Sequence, residues 1–445
     1  MRILVASTNP SLVDLIRRSL ERFHFEWESV DNGFDAFQRL VSTRYDLMLL
    51  EFDLPRMMAL EVLRRLHSLE HFAVPPAIIL TLSEQEREQI ESEHLSRVEV
   101  VARPVAIREF VTKVQQILNQ RIRLACLGGG TGLFTLLSGL KTISGTSLTS
   151  IVSASDDGGS TGKLRDMFGI LPPGDIRRSL VALSTAPDLL NELMQFRFTR
   201  GEELKGHNVG NLLLTALAEM RGSMTHAVKS LSEILNIQGE VVPVTESINT
   251  LKAELENGVV IEGEHRIDLF EGCDPNLRIK RLWQEPATSA NPDAIQALYN
   301  ARFIILGPGD LYTSVISNLI VGGIAEAVTS SRAKKIYVCN VMTKPGETTG
   351  FEVSDHVREI VRYLKKDCLD YIICSSTSFS TASLELYAQK GQVPVIEKSE
   401  NVLGKLTKAE IIWADVASDS ILVRHDSLKL AGELKKIFEH ETAIS

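Results

Sequence analysis

Three segments of this chain carry residue types that bind phosphate groups and metal ions: CLGGGTG at 126–132, SASDDGGSTG at 153–162 and LPPGDIRRSL at 171–180. The glycine-rich turn follows an apolar run of strand length and precedes four leucines with the spacing of one helix face. A strand, a glycine turn and a helix bring backbone N–H groups and a helix N-terminus to one point. The predicted phosphate-binding residues of this turn are Gly128, Gly129, Gly130, Thr131 and Gly132.

An acidic pair, Asp156 and Asp157, follows a second apolar run at Leu148 to Val152. A phosphate cradle beside paired carboxylates is typical of a nucleotide or sugar-phosphate site in which Mg²⁺ joins the two. Each feature also has a purely structural interpretation, because the glycine turn is neither a full G-x-G-x-x-G nor a P-loop and an acidic pair can cap a helix. The segments together favour a site, since the ends of parallel strands gather at one sheet edge. Asp156 and Asp157 are therefore candidate Mg²⁺ ligands.

Two further segments place polar residues at the start of predicted helices. Arg177 and Arg178 fall in a first helical turn, where a cation opposes the helix dipole by ~0.3–1 kcal/mol, so an anionic partner is expected. Asp175 precedes them and can serve either as the N-cap or in binding. GHNVGNLLL at 206–214 opens another helix whose polar residues can donate hydrogen bonds to a phosphate or a base. The candidate binding residues of these helices are Asp175, Arg177, His207, Asn208 and Asn211.

A second glycine turn, in LGPGDLYTSVISNL at 306–319, ends another apolar strand and precedes a helix. It is an anion site of the same physical kind as the first turn, and two such sites on one sheet edge suit a diphosphate with two flanking groups. A structural proline turn is the alternative interpretation. The candidate residues here are Gly307, Gly309, Asp310, Tyr312, Thr313, Ser314 and Asn318, with Asn340 and Lys344 after the next strand.

The composition excludes several classes of protein. The formal net charge of −9 argues against a nucleic-acid-binding surface, which usually requires a basic stripe. The five cysteines are scattered without a C-x-x-C motif, which fits a reduced cytosolic protein and argues against structural zinc. No run reaches the ~18 apolar residues of a membrane span, and the N-terminus turns polar too early for a signal peptide. We expect a cytoplasmic protein without nucleic-acid or membrane partners.

Residues 1–120 alternate short apolar runs with helical patterns, which predicts a doubly wound parallel sheet. This segment resembles the receiver domain of two-component response regulators. A working receiver has an acidic pair after its first strand, an aspartate acceptor after its third strand, a hydroxyl residue and a lysine. The corresponding residues in this chain are Ser7 and Thr8, Glu51, Thr81 and Arg103.

These departures predict a pseudo-receiver. Without the two carboxylates, divalent cations lose most of their charge attraction. Glu51 is one methylene longer than the aspartate it replaces, and Asp53, the nearest rival acceptor, lies further out on the strand. Glu51 facing Arg103 would mimic a fixed charge state, whereas the simpler interpretation is a degenerate module for protein docking or dimerisation.

The rest of the chain continues the alternation of strands and helices, except for a β-rich stretch at about 236–285. In that stretch the runs Val241–Val244, Glu254–Glu256 and Val259–Glu262 surround Asn257–Gly258, a hairpin signal. We therefore predict an α/β fold with two domains. A flavodoxin-like receiver domain at 1–120 precedes a Rossmann-like doubly wound parallel-sheet domain at 121–445, which carries the β-rich insertion.

Six ordered motifs make the second domain recognisable: GGGTG, SASDDGGSTGKLR, PPGDIRRSLVAL, GHNVGNLLL, LGPGDLYTSVISNL and YVCNVMTKPGETTGFEVSDHV. Together, over about residues 122–435, they resemble the gluconeogenesis factor (YvcK-like) family, which is related to the CofD-like 2-phospho-L-lactate transferases. The resemblance implies binding of UDP-N-acetylglucosamine and a role in central carbon metabolism and in cell-envelope and cell-shape control. It also implies that Tyr387 and Arg424 match residues used for the UDP-sugar.

Two functions follow from these observations. The first is a nucleotide-sugar-binding regulatory protein whose receiver-like module contacts a protein partner and which forms homo-oligomers. The alternative is a Mg²⁺-dependent transferase that uses a nucleoside-diphosphate-linked donor. A two-component output protein is disfavoured, because the receiver acids and any basic DNA-binding module are missing. The sequence leaves open whether a reaction is catalysed.

Overall fold

The computed structural model describes residues 2–21, 25–43, 45–69, 72, 74–93, 95, 98–119, 121–398, 400–419 and 423–444. The chain divides into two compact units, one of residues 1–121 with 142–146 and one of residues 122–141 with 147–445. Among the described helices, none combines the length and apolar content needed to cross a bilayer.

The first unit alternates five strands and five helices, which are β1 Arg2–Ala6, α1 Pro10–Leu20, β2 Glu26–Val30, α2 Gly33–Ser42, β3 Leu47–Glu51, α3 Ala59–His67, β4 Ala77–Thr81, α4 Glu84–Ser92, β5 Val98–Ala102 and α5 Ile107–Asn119. The strands form one parallel sheet in the order β2-β1-β3-β4-β5. This is the strand order of flavodoxin-like folds, so the predicted fold class is confirmed.

The sheet of the first unit is apolar on both faces because helices cover both. Successive residues of β3 belong to different cores: Leu47 and Leu49 pack on one side, Met48 and Leu50 on the other. The strand therefore reads as an unbroken apolar run that ends at Glu51. That end is the sheet edge at which the degenerate receiver residues lie.

The second unit contains the remaining elements, which are β6 Ile122–Gly128, α6 Gly130–Leu140, β7 Thr146–Val152, α7 Gly159–Phe168, α8 Pro173–Leu183, α9 Asp188–Gln195, α10 Val209–Arg221, α11 Met224–Ile234, β8 Glu240–Pro243, β9 Thr250–Leu255, β10 Val260–Glu262, α12 Glu264–Leu269, β11 Ile279–Glu285, α13 Pro292–Asn300, β12 Phe303–Leu306, a π-helical turn Leu311–Ile316, α14 Ser317–Leu319, α15 Ile324–Ser330, β13 Lys334–Val338, α16 Val353–Leu364, β14 Tyr371–Ser375, α17 Thr381–Ala388, α18 Glu400–Leu406, β15 Glu410–Ala414, β16 Ala417–Asp419, β17 Val423–His425 and α19 Ser427–Ile444.

A seven-stranded sheet with the order β15-β14-β13-β12-β6-β7-β8 forms the centre of the second unit. Pairing is parallel from β15 through to β6 and again between β7 and β8. The four residues of β12 are fully buried, as expected for a strand covered on both faces. The Rossmann-like prediction is confirmed. Since β6 and β12 are neighbours, the turns that follow them meet at the carboxyl edge of the sheet.

The β-rich insertion is smaller than the sequence pattern indicated. Strands β9, β10 and β11 form a separate antiparallel sheet in the order β10-β9-β11, and α12 follows β10. The sequence pattern assigns the run Val241–Val244 to this hairpin, but its first three residues belong to β8, whose Glu240 pairs with Thr149 in the main parallel sheet. A short apolar run has the same pattern in either kind of sheet, so the sequence could not separate the two.

The predicted cap of α8 differs from the structure. Asp175 lies inside the first turn of α8, because Pro173 takes the first helical position and Pro172 precedes it as the N-cap residue. The side chain of Asp175 is therefore not needed as a cap.

Candidate functional site

The two glycine turns touch each other at the carboxyl edge of the central sheet. A Cβ added at Gly132 would lie 2.4 Å from the Pro308 carbonyl oxygen, so only glycine permits this approach. A Cβ at Gly309 would lie 3.6 Å from the Gly129 carbonyl oxygen. The sequence thus places both turns, and the helical segments that follow them, around one point.

A cavity of about 660 Å³ opens at this point. Its volume is in the range of small-molecule sites. The predicted residues that line it are Gly129, Gly130, Thr131, Gly132, Asp156, Asp175, Gly309, Asp310, Ser314, Asn340, Lys344, Tyr387 and Arg424.

The other predicted residues support the cavity wall from behind. Asn318 donates a hydrogen bond from Nδ2 to the Gly128 carbonyl oxygen at 3.2 Å, and Asn208 caps α10. Ser160, which lines the cavity, hydrogen-bonds His207 Nδ1 through its hydroxyl at 3.1 Å. The predicted residues outside the lining are Gly128, Asp157, Arg177, His207, Asn208, Asn211, Gly307, Tyr312, Thr313 and Asn318.

Of the two adjacent arginines in α8, Arg178 reaches the cavity and Arg177 does not. Arg177 is buried and donates from Nε to Asn211 Oδ1 at 2.9 Å, and burial lowers its pKa to about 10. Arg178 is partly exposed and lies 3.2 Å from Asp175 Oδ1. Arg178 is therefore the better candidate for contact with an anionic ligand, whereas the sequence motif did not distinguish the two.

Two carboxylates from different segments, Asp156 and Asp175, come together in the cavity. Burial raises the pKa of Asp156 to about 6, and the charge of Asp175 adds to that effect. Burial also raises the pKa of Asp175, against the attraction of Arg178. Asp175 packs against the first glycine turn, since a Cβ at Gly129 would lie 2.6 Å from its Oδ2. The acidic pair of this site is thus Asp156 with Asp175.

Asp157 does not line the cavity as Asp156 does, and it stabilises the start of a helix instead. Its carboxylate accepts hydrogen bonds from the backbone N–H groups of Glu264 at 3.2 Å and His265 at 2.8 Å. It therefore caps α12 of the insertion, which is the structural role that an acidic turn can play. This cap brings Glu264, His265 and Asp268 into the cavity wall.

Lys344 is enclosed by three carboxylates. Its Nζ lies 2.8 Å from Asp310 Oδ2 and 3.2 Å from Glu347 Oε1, and it also bonds Asp268. Burial disfavours its ammonium group, but the attraction of Glu347, Asp310 and Asp268 is stronger and raises its pKa. The three carboxylates are close enough together to hold a metal ion. The Lys344 ammonium group lies among them and supplies the positive charge that a metal ion would otherwise provide. Lys344 is thus already paired in this site.

Glu347 anchors this cluster in the core of the second unit. Its side chain is fully buried, and burial raises its pKa to about 7 although Lys344 opposes the shift. Its two oxygens also accept hydrogen bonds from the Tyr312 backbone N–H at 3.1 Å and the Thr313 hydroxyl at 3.2 Å. The predicted binding residues Tyr312 and Thr313 therefore hold Glu347.

The far end of the cavity is built around Tyr387. Its hydroxyl accepts a hydrogen bond from the Val423 backbone N–H at 2.8 Å, which ties α17 to β17 and so to Arg424. The Lys390 ammonium lies 5.7 Å from the centre of the Tyr387 ring. Although 37 residues separate them, Tyr387 and Arg424 both line this end. One tyrosine and two cations can contact a base, a ribose or a phosphate here.

Sequence reasoning missed several residues of the cavity wall. The main ones are Arg197, Glu264, His265, Asp268 and Lys390. They lie outside the glycine and acidic motifs, in the insertion and in the α9–α10 and α17 regions. The only signal in the sequence was the spacing of Glu264 and Asp268 on one face of a short helix, which is common in solvated helices.

In the first unit, the degenerate receiver residues form a closed polar cluster. Glu51 is buried, and its Oε2 accepts hydrogen bonds from Thr8 N at 2.7 Å and Thr8 Oγ1 at 3.3 Å. Its other oxygen pairs with Arg103. Ser7 and Thr81 are buried beside this strand edge, whereas Asp53 is exposed. Both carboxylate oxygens of Glu51 are therefore already engaged.

We expect acetyl phosphate with Mg²⁺ to leave the receiver unit unmodified. The acceptor position holds a glutamate paired with Arg103, and hydroxyl residues occupy the positions that would hold the metal. Intact mass spectrometry after treatment checks this expectation, with Asp53→Asn as the matched variant. An adduct in the wild type that disappears in Asp53→Asn would show that the exposed aspartate is an acceptor after all.

Both units match families of known proteins. Residues 124–416 match the family described as 2-phospho-L-lactate transferase CofD, and residues 3–115 match the response regulator receiver domain. The gluconeogenesis factor of Bacillus subtilis is 39% identical over 319 residues, which are 71% of this chain and 98% of that protein. A relative from Thermotoga maritima, also described as a gluconeogenesis factor, is 42% identical over 71% of this chain and 99% of its own length.

A solved structure is similar to this chain over most of its length. The crystal structure of protein BH3568 from Bacillus halodurans aligns with a TM-score of 0.67 at 38% sequence identity. The alignment covers 70% of this chain and 99% of that one.

Proposed function

This chain belongs to the gluconeogenesis factor family, and we propose that its second unit is a regulatory sensor that binds a nucleotide sugar of the UDP-N-acetylglucosamine type. The observation that carries the proposal is the contact of the two glycine turns at the mouth of one cavity. Each turn precedes a helical segment, and the start of such a segment favours a negatively charged group. A diphosphate with a group on either side fits between them.

Two residues of the cavity wall carry polar atoms without a partner. Asn340 Oδ1 and His425 Nε2 lack a hydrogen-bond partner among the described residues, and both atoms are enclosed behind the open cavity. Burial lowers the pKa of His425 to about 4, so its imidazole is neutral. Buried acceptors are normally paired, so a shift of these side chains towards a bound ligand would pair them with a sugar hydroxyl, an acetamido N–H or a uracil N–H.

The charge of the cavity also bears on the ligand. Asp156, Asp175 and Glu264 bring three carboxylates to the wall close to the first glycine turn. When ionised, they would repel a diphosphate unless a cation lies between, and a hard divalent ion would stabilise the charged forms of two buried carboxylates whose pKa values burial raises. We therefore propose that Mg²⁺ accompanies the nucleotide sugar at Asp156 and Asp175. There it would neutralise the facing negative charges.

Calorimetry with UDP-N-acetylglucosamine, UDP and GDP, each with and without Mg²⁺, tests the proposed function. We expect UDP-N-acetylglucosamine to bind more tightly than UDP, because the sugar fills the cavity beyond the diphosphate. Chromatography of the recovered ligand should find it unchanged. Absence of binding by both uridine nucleotides would contradict the proposal.

We expect Asp156→Asn to remove the Mg²⁺ dependence of nucleotide-sugar binding and Asp157→Asn to preserve it. Asp156 faces the cavity beside Asp175, whereas Asp157 caps α12. Calorimetric titration of both variants with and without Mg²⁺ makes the comparison. Equal loss of the Mg²⁺ effect in both variants would assign the ion to the sequence-adjacent pair instead.

A second candidate function is a Mg²⁺-dependent transferase that uses a nucleoside-diphosphate-linked donor. The pairing of Asp156 with Asp175 favours it, because two carboxylates can hold the metal that offsets charge in phosphoryl transfer. The relevant experiment is incubation with Mg²⁺ and a donor in which lactate is linked to guanosine through a diphosphate. Transfer of the phospholactyl group breaks the P–O–P bond, so release of GMP would favour the enzyme, and binding of a uridine nucleotide sugar without turnover favours the sensor.

The proposal extends to the first unit. With Glu51 paired to Arg103, its receiver site holds one fixed charge arrangement. A receiver fold without a phosphoryl switch retains its surfaces for protein contact. We propose that this unit docks a protein partner independently of phosphorylation.

A further inference from the structure

The insertion supplies the carboxylate of Asp268, on α12, to the wall of the cavity. This carboxylate bonds the Lys344 ammonium, which also lies 2.8 Å from Asp310 Oδ2 and 3.2 Å from Glu347 Oε1. Asp268 and Asp310 line the cavity, with side chains 29% and 40% exposed, whereas Glu347 is fully buried. The cluster therefore presents two carboxylates and one ammonium group to a ligand.

The Lys344 ammonium is engaged by carboxylates and is not available to a phosphate. An ammonium group has three N–H donors, and three carboxylates surround Nζ of Lys344. The cluster stays negative even when Glu347 is protonated, because Asp268 and Asp310 together outweigh the single ammonium. A phosphate or a carboxylate of the ligand would be repelled here. A hydroxyl group can instead donate to the free lone pairs of the two exposed carboxylates.

The cluster adjoins the place proposed for the diphosphate. Asp310 directly follows Gly309 of the second glycine turn, which touches the first turn. The far end of the cavity carries the opposite charge, from Lys390 and Arg424. A diphosphate between the turns would therefore direct one of its two attached groups towards these cations and the other towards Asp268.

Helix α12 is held at both ends, so Asp268 has a fixed position in the wall. At its start, the Asp157 carboxylate accepts two backbone N–H groups. At its end, Phe270 is buried against the loop that carries Lys344, and a Cβ at Gly346 of that loop would lie 2.1 Å from Phe270 Cγ. Glycine is therefore required at position 346 for this packing. A group that is held in place in this way can discriminate between ligands.

We infer that Asp268 selects the group joined to the diphosphate, so that the cavity accepts a neutral sugar with free hydroxyl groups and rejects an acidic one. The inference rests on the proposed function, because it takes the ligand to be a nucleotide sugar in this cavity. Hydroxyl groups gain charge-assisted hydrogen bonds to Asp268 and Asp310, whereas an acidic group meets like charges. A lactyl group joined through its hydroxyl keeps a free carboxylate, so the donor of the alternative transferase belongs to the rejected class.

Calorimetry of the full chain with UDP-glucose and UDP-glucuronic acid, in the presence of Mg²⁺, tests this inference. The two ligands differ only at C6 of the sugar, which bears a hydroxyl group in one and a carboxylate in the other. The wild type should bind UDP-glucose at least ~10-fold more tightly, and Asp268→Asn should reduce this ratio to about 3-fold or less. Asp274→Asn is the matched control, because it makes the same exchange on the insertion outside the cavity wall and should preserve the ratio.

The ratio of the two affinities separates selection from a structural role, which would change both affinities by the same factor. Asp310→Asn removes the other exposed carboxylate and should lower the ratio too, and it is measured in case Asp268→Asn does not fold by circular dichroism. Equal affinities in the wild type, or an unchanged ratio in the folded variants, would overturn the inference and leave the proposed function standing. If the wild type binds neither nucleotide sugar, the proposed function and the inference fail together.

Discussion

Gly129→Val is expected to weaken binding of UDP-N-acetylglucosamine at least ~100-fold, equivalent to about 2.7 kcal/mol. The backbone of Gly129 is extended, so valine fits its dihedral angles. The added Cβ would lie 2.6 Å from Asp175 Oδ2, and that carboxylate must move out of the proposed Mg²⁺ site. Calorimetry in the presence of Mg²⁺ measures the change.

The matched control for this prediction is Gly432→Val in α19, where an added Cβ meets no atom within 4 Å. Both variants introduce the same side chain, and the control should bind as the wild type does. Thermal unfolding of both variants shows whether the fold is retained. A folded Gly129→Val protein with unchanged affinity would remove the ligand from the first glycine turn.

Lys344→Met is expected to reduce the free energy of unfolding by about 3–5 kcal/mol, the usual cost of removing one partner from a buried ion pair. Without the ammonium group, Asp268, Asp310 and the fully buried Glu347 face one another uncompensated. Urea unfolding monitored by circular dichroism measures the loss. Lys398→Met is the control, because Lys398 pairs with Glu352 at the surface and should cost less than ~1 kcal/mol.

The destabilisation of Lys344→Met should depend on pH. The pKa of Glu347 is raised to about 7 in the folded protein, against 4.5 for the free side chain. A carboxyl group with a raised folded pKa favours folding when protonated, and this contribution is lost as the pH rises through the folded pKa. The variant should therefore lose less stability at about pH 5 than at about pH 8. A pH-independent difference would assign the effect to lost packing.

Much of the fold and part of the site followed from local pattern. Buried parallel strands are unbroken apolar runs, and turns that need close approach require glycine, so the turns at Gly129 and Gly309 were visible in the sequence. The replaced receiver residues could also be identified from the sequence, because the loss of a carboxylate is evident from the residue type at one position. Comparison with the residues of a working receiver offered a pairing of Glu51 with Arg103, and the structure contains this pair.

The rest depended on contacts between distant segments. Asp157 looks like a metal ligand beside Asp156, and only the insertion, more than 100 residues away, engages it as the cap of α12. Lys344 looks like a phosphate-binding residue, but Asp268 of the same insertion helps to neutralise it. Arg177 and Arg178 are adjacent and chemically identical, and tertiary packing alone decides which one reaches the cavity.

The position of β6 has a consequence for how the protein is made. This strand lies inside the seven-stranded sheet, and its Leu124 pairs with Phe303 of β12, which the ribosome adds roughly 180 residues later. At a translation rate of about 5–20 residues per second, β6 remains without that partner for on the order of 10–40 s. During this time an apolar edge of the strand is uncovered. An unpaired strand edge invites association with other chains. Yield in the cell should therefore depend on chaperone supply and translation speed as well as on the stability of the finished fold.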